Sequence, residues 1–178
     1  MKAIGWMSVA LLFLVPSVAT AAVTFAPNLF SSSEGDGAIT FQISCDSADT
    51  SSGPLTVNYS LTDDTATGGS TPFAPGIDYD NTPGSVSIPK GATKATISVA
   101  INPDAVVEEH EMFTVTLTDG GATTYDTATG TIQNDDAAMF TVADASNLES
   151  NGSVDFTVTL GTEVDSAVTV MATYISST

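Results

Sequence analysis

Apolar and polar residues alternate through most of this sequence, and that pattern limits the fold more than any other feature. Between Ile39 and Ser44, for example, Ile, Phe and Ile alternate with Thr, Gln and Ser. A period of two residues is typical of strands with one packed face and one face in water. The alternating runs predict about seven strands, at 23–25, 39–43, 55–61, 86–88, 97–101, 113–117 and 127–133.

Turn residues separate the predicted strands. Gly68–Gly69, Pro75–Gly76 and Gly120–Gly121 each lie between two alternating runs, and Gly and Pro are the strongest local signals for turns. No window shows a sustained helical period of 3.6 residues. Seven short strands within about 110 residues favour an all-β fold, an immunoglobulin-like antiparallel β-sandwich. A closed barrel is the alternative.

The sequence repeats itself over a long interval. Glu34–Ile43 aligns without gaps with Glu149–Val158, at an offset of 115 residues. A period of this length indicates duplicated domains and not a short-repeat solenoid. We predict a sandwich domain over 22–137 and the N-terminal part of an incomplete second copy over 138–178. Three strands cannot close a two-sheet core, so the apolar face of the second copy is expected to be half exposed, unless its strands add to the first sandwich or to another molecule's edge.

The N-terminus resembles an export signal. Lys2 precedes the apolar run Val9–Val15, and the small residues Ala19–Ala22 follow it. This order is typical of a secretory signal peptide, whereas a membrane span needs about 20 apolar residues. We predict a signal peptide over 1–21 and a secreted or cell-surface location; a buried N-terminal helix is the alternative. No later segment is apolar enough to span a membrane.

Acids far outnumber basic residues. The chain has 21 Asp and Glu against three Lys and Arg, with a net charge of −18 at pH 7. Binding of nucleic acid or anionic lipid depends on Lys and Arg, so the composition excludes both partners and suits cations. The single cysteine excludes a disulfide within the chain. Scattered acids would indicate a solubility adaptation, whereas clustered acids would indicate a cation site.

Carboxylates concentrate in four segments that lie between or after predicted strands. These segments carry Glu34; Asp78; Asp104, Glu108, Glu109 and Glu111; and Asp135 with Asp136. A sandwich gathers alternate loops at each pole, so the four segments could meet at one end. Taken singly, each is equally an exposed loop or linker acid.

Carboxylates that meet in one pocket need a counter-charge. Two like charges about 4 Å apart repel by roughly 1 kcal/mol in water and by several at a protein surface. Ca²⁺ takes six to eight oxygen ligands in flexible geometry, whereas Mg²⁺ keeps several waters and Zn²⁺ prefers nitrogen or sulfur. His110 and Cys45 are the only side chains of that last kind. A converged cluster would therefore bind calcium.

These motifs together resemble a Calx-beta domain, a repeat found in sodium–calcium exchangers and in many bacterial surface proteins. The matching stretches are Ser33–Asp36, Leu55–Gly69, Ile77–Tyr79, Val106–Val115 and Thr129–Asp136. The resemblance covers 24–136 and resumes, shortened, from Met139. It implies a sandwich with calcium ligands at one end.

The resemblance also implies which residues bind the ion. The metal ligands carried over from the family motif are Glu34, Asp78, Asp104, Glu108, Glu111, Asp135 and Asp136. The family's acidic runs are interrupted here by Pro103, Ala105 and Asn134. Fewer carboxylates imply one or two Ca²⁺ ions of moderate to low affinity.

The expected function is that of a calcium-binding structural or adhesive module in an exported repeat protein. Its partners would be Ca²⁺, the neighbouring repeats, and a surface protein or glycan recognised by the whole protein. The alternatives are a calcium-sensing regulatory domain and an inert spacer without metal. Catalysis is not expected, because the single His110 lies on a loop among acids and no G-x-S-x-G or H-E-x-x-H motif occurs.

Overall fold

Strands form nearly all the regular structure of the chain. The computed structural model describes residues 21–173, except 28, 48 and 122, together with residue 175. The predicted signal peptide over 1–21 lies outside the described residues apart from its last position. No helix in the described ranges is long and apolar enough to cross a membrane.

Twelve strands and two short 3₁₀ turns are assigned in the described residues. The strands are β1 (Thr24–Phe25), β2 (Leu29–Ser33), β3 (Ala38–Ser44), β4 (Leu55–Asp63), β5 (Gly68–Gly69), β6 (Tyr79–Asp80), β7 (Gly84–Ile88), β8 (Lys94–Ala100), β9 (Glu111–Thr118), β10 (Thr124–Gln133), β11 (Phe140–Val142) and β12 (Val158–Leu160). The 3₁₀ turns span Glu34–Asp36 and Glu149–Asn151.

Two sheets form the first domain, and the predicted β-sandwich is confirmed. One sheet has the order β1-β3-β8 and the other the order β2-β10-β9-β4-β7. The neighbours pair antiparallel except β2 and β10, which are parallel; the small β5–β6 pair is also parallel. The sequence did not predict β2, because Leu-Phe-Ser-Ser-Ser lacks apolar alternation and Leu29 is exposed.

The core lies between the sheets, where the apolar residues of the alternating runs meet. Phe41 of β3 and Phe113 of β9 are fully buried and pack edge to face, with ring centroids 5.9 Å apart. A Cβ at Gly130 would lie 2.7 Å from the Phe113 ring, so a side chain at this position in β10 would displace the aromatic cluster. Tyr79 stacks on the other side of the cluster, with its centroid 4.1 Å from that of Phe113.

The segment predicted to be a second copy, 138–178, shares a local turn structure with the first domain and is called the second copy below. In both 3₁₀ turns the residue that follows, Gly37 or Gly152, has positive φ and donates its amide to the carbonyl of the leading Glu34 or Glu149. Strands β11 and β12 pair with each other. The apolar face of this segment is half exposed, as predicted. The exposed fraction is 64% for Phe156 and 51% for Val168.

Candidate metal centre

Four segments meet at one pole of the first sandwich. The amide of Ile101 donates to the carbonyl of Gly37 at 3.1 Å, which joins the β2–β3 and β8–β9 connections. The amide of Asn102 donates to the carbonyl of Asp78 at 2.9 Å. Ser33 Oγ donates to Asp135 Oδ2 at 2.7 Å, which brings in the segment after β10. We call this end the acidic pole.

Glu34, Asp135 and Asp136 form the first carboxylate triad. One oxygen from each lies within 4.8 Å of the others. Glu34 is 4% exposed and its Oε1 accepts the backbone amide of Asp104 at 3.2 Å. Asp135 Oδ1 accepts the amide of Gly35 at 3.3 Å, and a Cβ at Gly35 would lie 2.7 Å from Asp135 Oδ2. A glycine after Glu34 therefore permits the approach of Asp135.

Asp78 is positioned by the core residue that follows it. Tyr79 is fully buried and its hydroxyl donates to Asp63 Oδ1 at 2.6 Å. Asp78 Oδ2 accepts the amide of Thr67 at 2.6 Å, and the Asp78 amide donates to the Thr67 carbonyl. The hydrogen bonds with Thr67 and the buried ring of Tyr79 thus hold the Asp78 side chain at the acidic pole.

Asp78, Glu108 and Glu111 form the second triad. One oxygen from each again lies within 4.8 Å of the others. Glu111 is the first residue of β9, opposite Ile132 of β10. Its Oε2 is buried and has no hydrogen-bond partner in the described part of the chain. A buried, unpartnered carboxylate oxygen is unfavourable unless it binds a cation or a proton.

Burial and mutual repulsion raise the proton affinity of these acids. Burial, hydrogen bonding with Asp78 and nearby negative charge raise the pKa of Glu111 to about 8. Burial, followed by the charges of Asp78, Asp104 and Glu34, raises the pKa of Glu108 to about 7. Burial also raises the pKa of Glu34, and the Asp104 amide only partly opposes this. The pKa of Glu108 is raised by the charges of Asp78 in its own triad and of Glu34 in the other. The two triads therefore interact electrostatically.

Asp104 belongs to neither triad. Its side chain is exposed, and its Oδ1 accepts the amide of Val106 at 2.8 Å. Its backbone holds Glu34, and its charge contributes to the raised pKa of Glu34 and Glu108. Lys94 starts β8, and Asp104 follows the far end of that strand, so this lysine is remote from the acidic pole. The structure thus brings six of the seven predicted residues into two triads, with Asp104 beside them.

Asn134 ties the β8–β9 loop to the segment after β10. Its Oδ1 accepts the amides of Glu108 at 3.2 Å and Asp136 at 3.4 Å. Its Nδ2 donates to the carbonyl of Asp136 at 3.1 Å, and its backbone amide donates to Nδ1 of the exposed His110. A carboxylate could not donate the Nδ2 bond, so asparagine has a structural role at this position.

The donor set suits a hard cation such as calcium better than it suits zinc. Both triads contain only carboxylates, which are ligands for hard cations. Neither triad contains a histidine or cysteine, so they lack the ligands that zinc prefers. Glu111 Oε2 accepts no hydrogen bond from any donor group in the described residues, and the Glu111 side chain can bond to Asp78 only by sharing a proton with it.

Sequence reasoning missed one residue at the acidic pole, Asp165 of the second copy. Val107 and Val164 form a parallel β-bridge, in which the Val107 amide donates to the Glu163 carbonyl at 2.9 Å and the Asp165 amide to the Val107 carbonyl at 3.2 Å. The charge of Asp165 contributes to the raised pKa of Glu108 and Glu111. The only signal in the sequence is the pair of acids at 163 and 165, which follow no acidic motif of the first domain.

Known proteins share this architecture. The family model described as "Calx-beta domain" matches residues 19–146. A crystal structure of calcium binding domain CBD12 of CALX1.1 is 25% identical with a TM-score of 0.52, over 64% of this chain and 44% of that one. The apo-form Calx CBD1 domain is 25% identical with a TM-score of 0.50, over 64% of this chain and 96% of that one.

A third solved structure is also similar to this chain. The structure of CBD12 from CALX1.2 is 25% identical with a TM-score of 0.50, over 67% of this chain and 48% of that one. The chain therefore spans less than half of each CBD12 structure. No curated protein matches the sequence.

Proposed function

Because this chain belongs to the Calx-beta domain family, we propose that it is a calcium-binding structural and adhesive module of an exported or cell-surface repeat protein. One similar solved structure, CBD12 of CALX1.1, is described as a calcium binding domain. The observation that carries the proposal is the presence of two carboxylate triads at one pole, one of which includes a buried oxygen that accepts no hydrogen bond from a donor group among the described residues. We propose no catalytic role.

Each triad has a separate part in holding the ions. Glu34, Asp135 and Asp136 would hold one ion, and Asp78, Glu108 and Glu111 a second, which gives the one or two sites expected from the sequence. Bound calcium would supply the positive charge that the acidic pole lacks. Asp104 would add negative charge at the margin and hold Glu34 in place through its backbone amide.

The position of the first triad suggests a mechanical role. Asp135 and Asp136 directly follow β10 and lead into the second copy. Closing the triad would tie this segment to Glu34 and stiffen the junction between repeats, because ligand binding stabilises the ordered arrangement. Neighbouring repeats are then the immediate partners. A surface protein or a glycan would be bound by other parts of the whole protein.

A thermal melt in calcium, magnesium or EDTA tests the proposal. We expect the melting temperature to rise with calcium and to stay near the EDTA value with magnesium, since Mg²⁺ prefers few carboxylates and several waters. The increase should be lost in the double variant Asp78→Asn/Glu108→Gln. Equal melting temperatures in all three conditions would instead support an inert spacer.

A calcium-sensing regulatory domain is the second candidate. The burial of Glu34 and the charge interaction between Glu34 and Glu108 favour it, because ligand charge and site rigidity increase calcium affinity. Extracellular structural sites bind at about 10⁻⁴–10⁻³ M and sensors at about 10⁻⁷–10⁻⁵ M. A calcium titration followed by calorimetry separates the two roles.

A further inference from the structure

Asp63, the last residue of β4, makes two hydrogen bonds close to the second triad. Its Oδ1 accepts the hydroxyl of Tyr79 at 2.6 Å and the backbone amide of Gly68 at 3.0 Å. A Cβ at Gly68 would lie 2.7 Å from the same oxygen, so a glycine at this position permits the approach of the carboxylate. Asp63 itself belongs to neither triad.

The bond to the Gly68 amide acts on Asp78 through the short strand β5. The amides of Thr67 and Gly68 are consecutive along the chain. The first donates to Asp78 Oδ2 at 2.6 Å, and the second donates to Asp63. Gly68 also pairs with Tyr79 in the parallel pairing of β5 and β6. The segment that holds the Asp78 carboxylate is therefore held in turn by Asp63.

The bond to the Tyr79 hydroxyl acts on the separation of Asp78 and Glu111. Asp63 lies opposite Phe113 in the pairing of β4 and β9, and the Tyr79 ring stacks on the Phe113 ring with centroids 4.1 Å apart. Asp78 directly precedes Tyr79. Glu111 lies two residues before Phe113 in β9. The stacked rings thus link two members of the second triad, and the bond to Asp63 limits how far the Tyr79 ring can slide over Phe113.

On the basis of the calcium-binding function above, we propose that Asp63 is a positioning residue that holds the Asp78 carboxylate in place for calcium binding at the second triad. Its hydrogen bonds with Tyr79 and Gly68 transmit this effect. A ligand that is ordered before the ion arrives loses less conformational freedom on binding. Side chains that orient metal ligands without touching the ion typically change metal affinity by about 10-fold to 100-fold.

A purely structural role for Asp63 gives a different expectation. Tyr79 is fully buried, and its hydroxyl needs an acceptor, so loss of Asp63 should lower the metal-free melting temperature in either case. Calcium affinity of the folded chain separates the two roles. It falls if Asp63 positions Asp78, and it stays the same if Asp63 only stabilises the fold.

The test measures calcium affinity by calorimetry in the full chain, well below the melting temperature of each variant. Tyr79→Phe keeps the ring that stacks on Phe113 and removes only the hydroxyl, whereas Asp63→Ala removes both bonds. We expect both variants to bind calcium about tenfold more weakly or worse at the second triad. Asp63→Asn should retain most of the affinity, because its side-chain oxygen can still accept both bonds.

Asp64→Ala is the matched control for the lost charge. Asp64 adjoins Asp63, is exposed and belongs to neither triad, so this variant should bind calcium like the unmodified chain. Two backgrounds then assign the effect to one triad. Asp63→Ala should weaken binding when Asp136→Asn impairs the first triad, and it should change nothing further when Glu108→Gln impairs the second.

Three outcomes would contradict the proposal. Unchanged calcium affinity in both Asp63→Ala and Tyr79→Phe, with normal binding by the unmodified chain, would overturn it and leave the proposed function intact. An equal loss of affinity in Asp64→Ala would also overturn it, because the effect would then be one of charge alone. Absence of calcium binding by the unmodified chain would overturn the proposed function and this inference together.

Discussion

Oε1 of Glu34 accepts the backbone amide of Asp104 at 3.2 Å, across 70 residues of sequence. This bond joins the 3₁₀ turn after β2 to the loop after β8. Glu34 is nearly fully buried, and the amide offsets only part of the resulting preference for the protonated form. The bond therefore fixes an acid where its charge is unfavourable unless a cation is present.

Replacing Glu34 with Gln should separate stability from calcium binding. The amide oxygen of Gln can still accept the Asp104 bond, while the buried charge disappears. We expect a higher melting temperature in EDTA and a calcium affinity lower by about tenfold, equivalent to about 1.4 kcal/mol. Glu109→Gln is the control, since Glu109 is exposed and belongs to neither triad. A lower melting temperature of Glu34→Gln in EDTA would contradict this account.

Replacing Gly35 with Ala should weaken the first triad through crowding. The new Cβ would lie 2.7 Å from Asp135 Oδ2, so the Asp135 side chain must move away from Glu34. We expect weaker calcium binding and a loss of stability of about 1 kcal/mol, measured by calorimetry and urea unfolding. Gly53→Ala is the matched control, because a Cβ there meets nothing within 4 Å and φ is not positive. Equal behaviour of the two variants would rule out the steric explanation.

Stability without metal should depend on pH. The ordinary pKa of Glu108 and Glu111 is 4.5, and in the folded chain the values rise to about 7 and about 8. Between pH 4.5 and about pH 8, Glu108 and Glu111 keep protons in the folded state that they have released in the unfolded state. The free energy of unfolding therefore falls as pH rises. Melting temperatures in EDTA should decrease from about pH 5 to about pH 8, and saturating calcium should flatten the decrease.

The pH effect can be assigned to the second triad with one variant. Glu111→Gln should make the metal-free decrease shallower above neutral pH, since the group that titrates there has been removed. Calcium binding near neutral pH should also release protons, which calorimetry in buffers of different ionisation enthalpy measures. Metal-free stability that rises with pH over the same range would contradict the prediction.

Replacing Asn134 with Asp should lower the stability of the metal-free chain and increase its calcium affinity. Asn134→Asp loses the Nδ2 bond to the Asp136 carbonyl and adds negative charge between the triads. We expect a stability loss of about 1–2 kcal/mol in EDTA and tighter calcium binding, both followed by thermal melts with and without calcium. Asn58→Asp controls for the added charge, because Asn58 lies beside Gly120 at the opposite pole. Greater metal-free stability in Asn134→Asp would show that its amide bonds are unimportant.

The sequence predicted the strands well where alternation was clear and less well elsewhere. Strands β3 and β9 have buried residues at every second position over most of their length, whereas only Val57 is buried in β4. All three were predicted close to their observed bounds. Strand β2 has no such pattern, because its pairing with β10 comes from the topology of the sheet and not from burial. Local sequence carries no information on that pairing.

The acidic pole was predictable in composition but not in arrangement. The resemblance gave seven positions, and the structure brings them to one end of the sandwich. The division into two triads depends on the register of β9 and β10 and on the anchoring of Asp78 by Tyr79, neither of which the spacing of acids reveals. The bonds of Asn134 and the contact at Asp165 arise from tertiary packing alone.

The parallel pairing of β2 and β10 determines how the first domain would respond to a stretching force along a tether. Five residue pairs, from Leu29 with Thr129 to Ser33 with Gln133, lie in register. Tension applied before β2 and after β10 would slide the two strands past each other, so the five pairs would bear the load together instead of opening one by one. The bond from Ser33 to Asp135 extends this clamp to the acidic pole, where calcium would reinforce it.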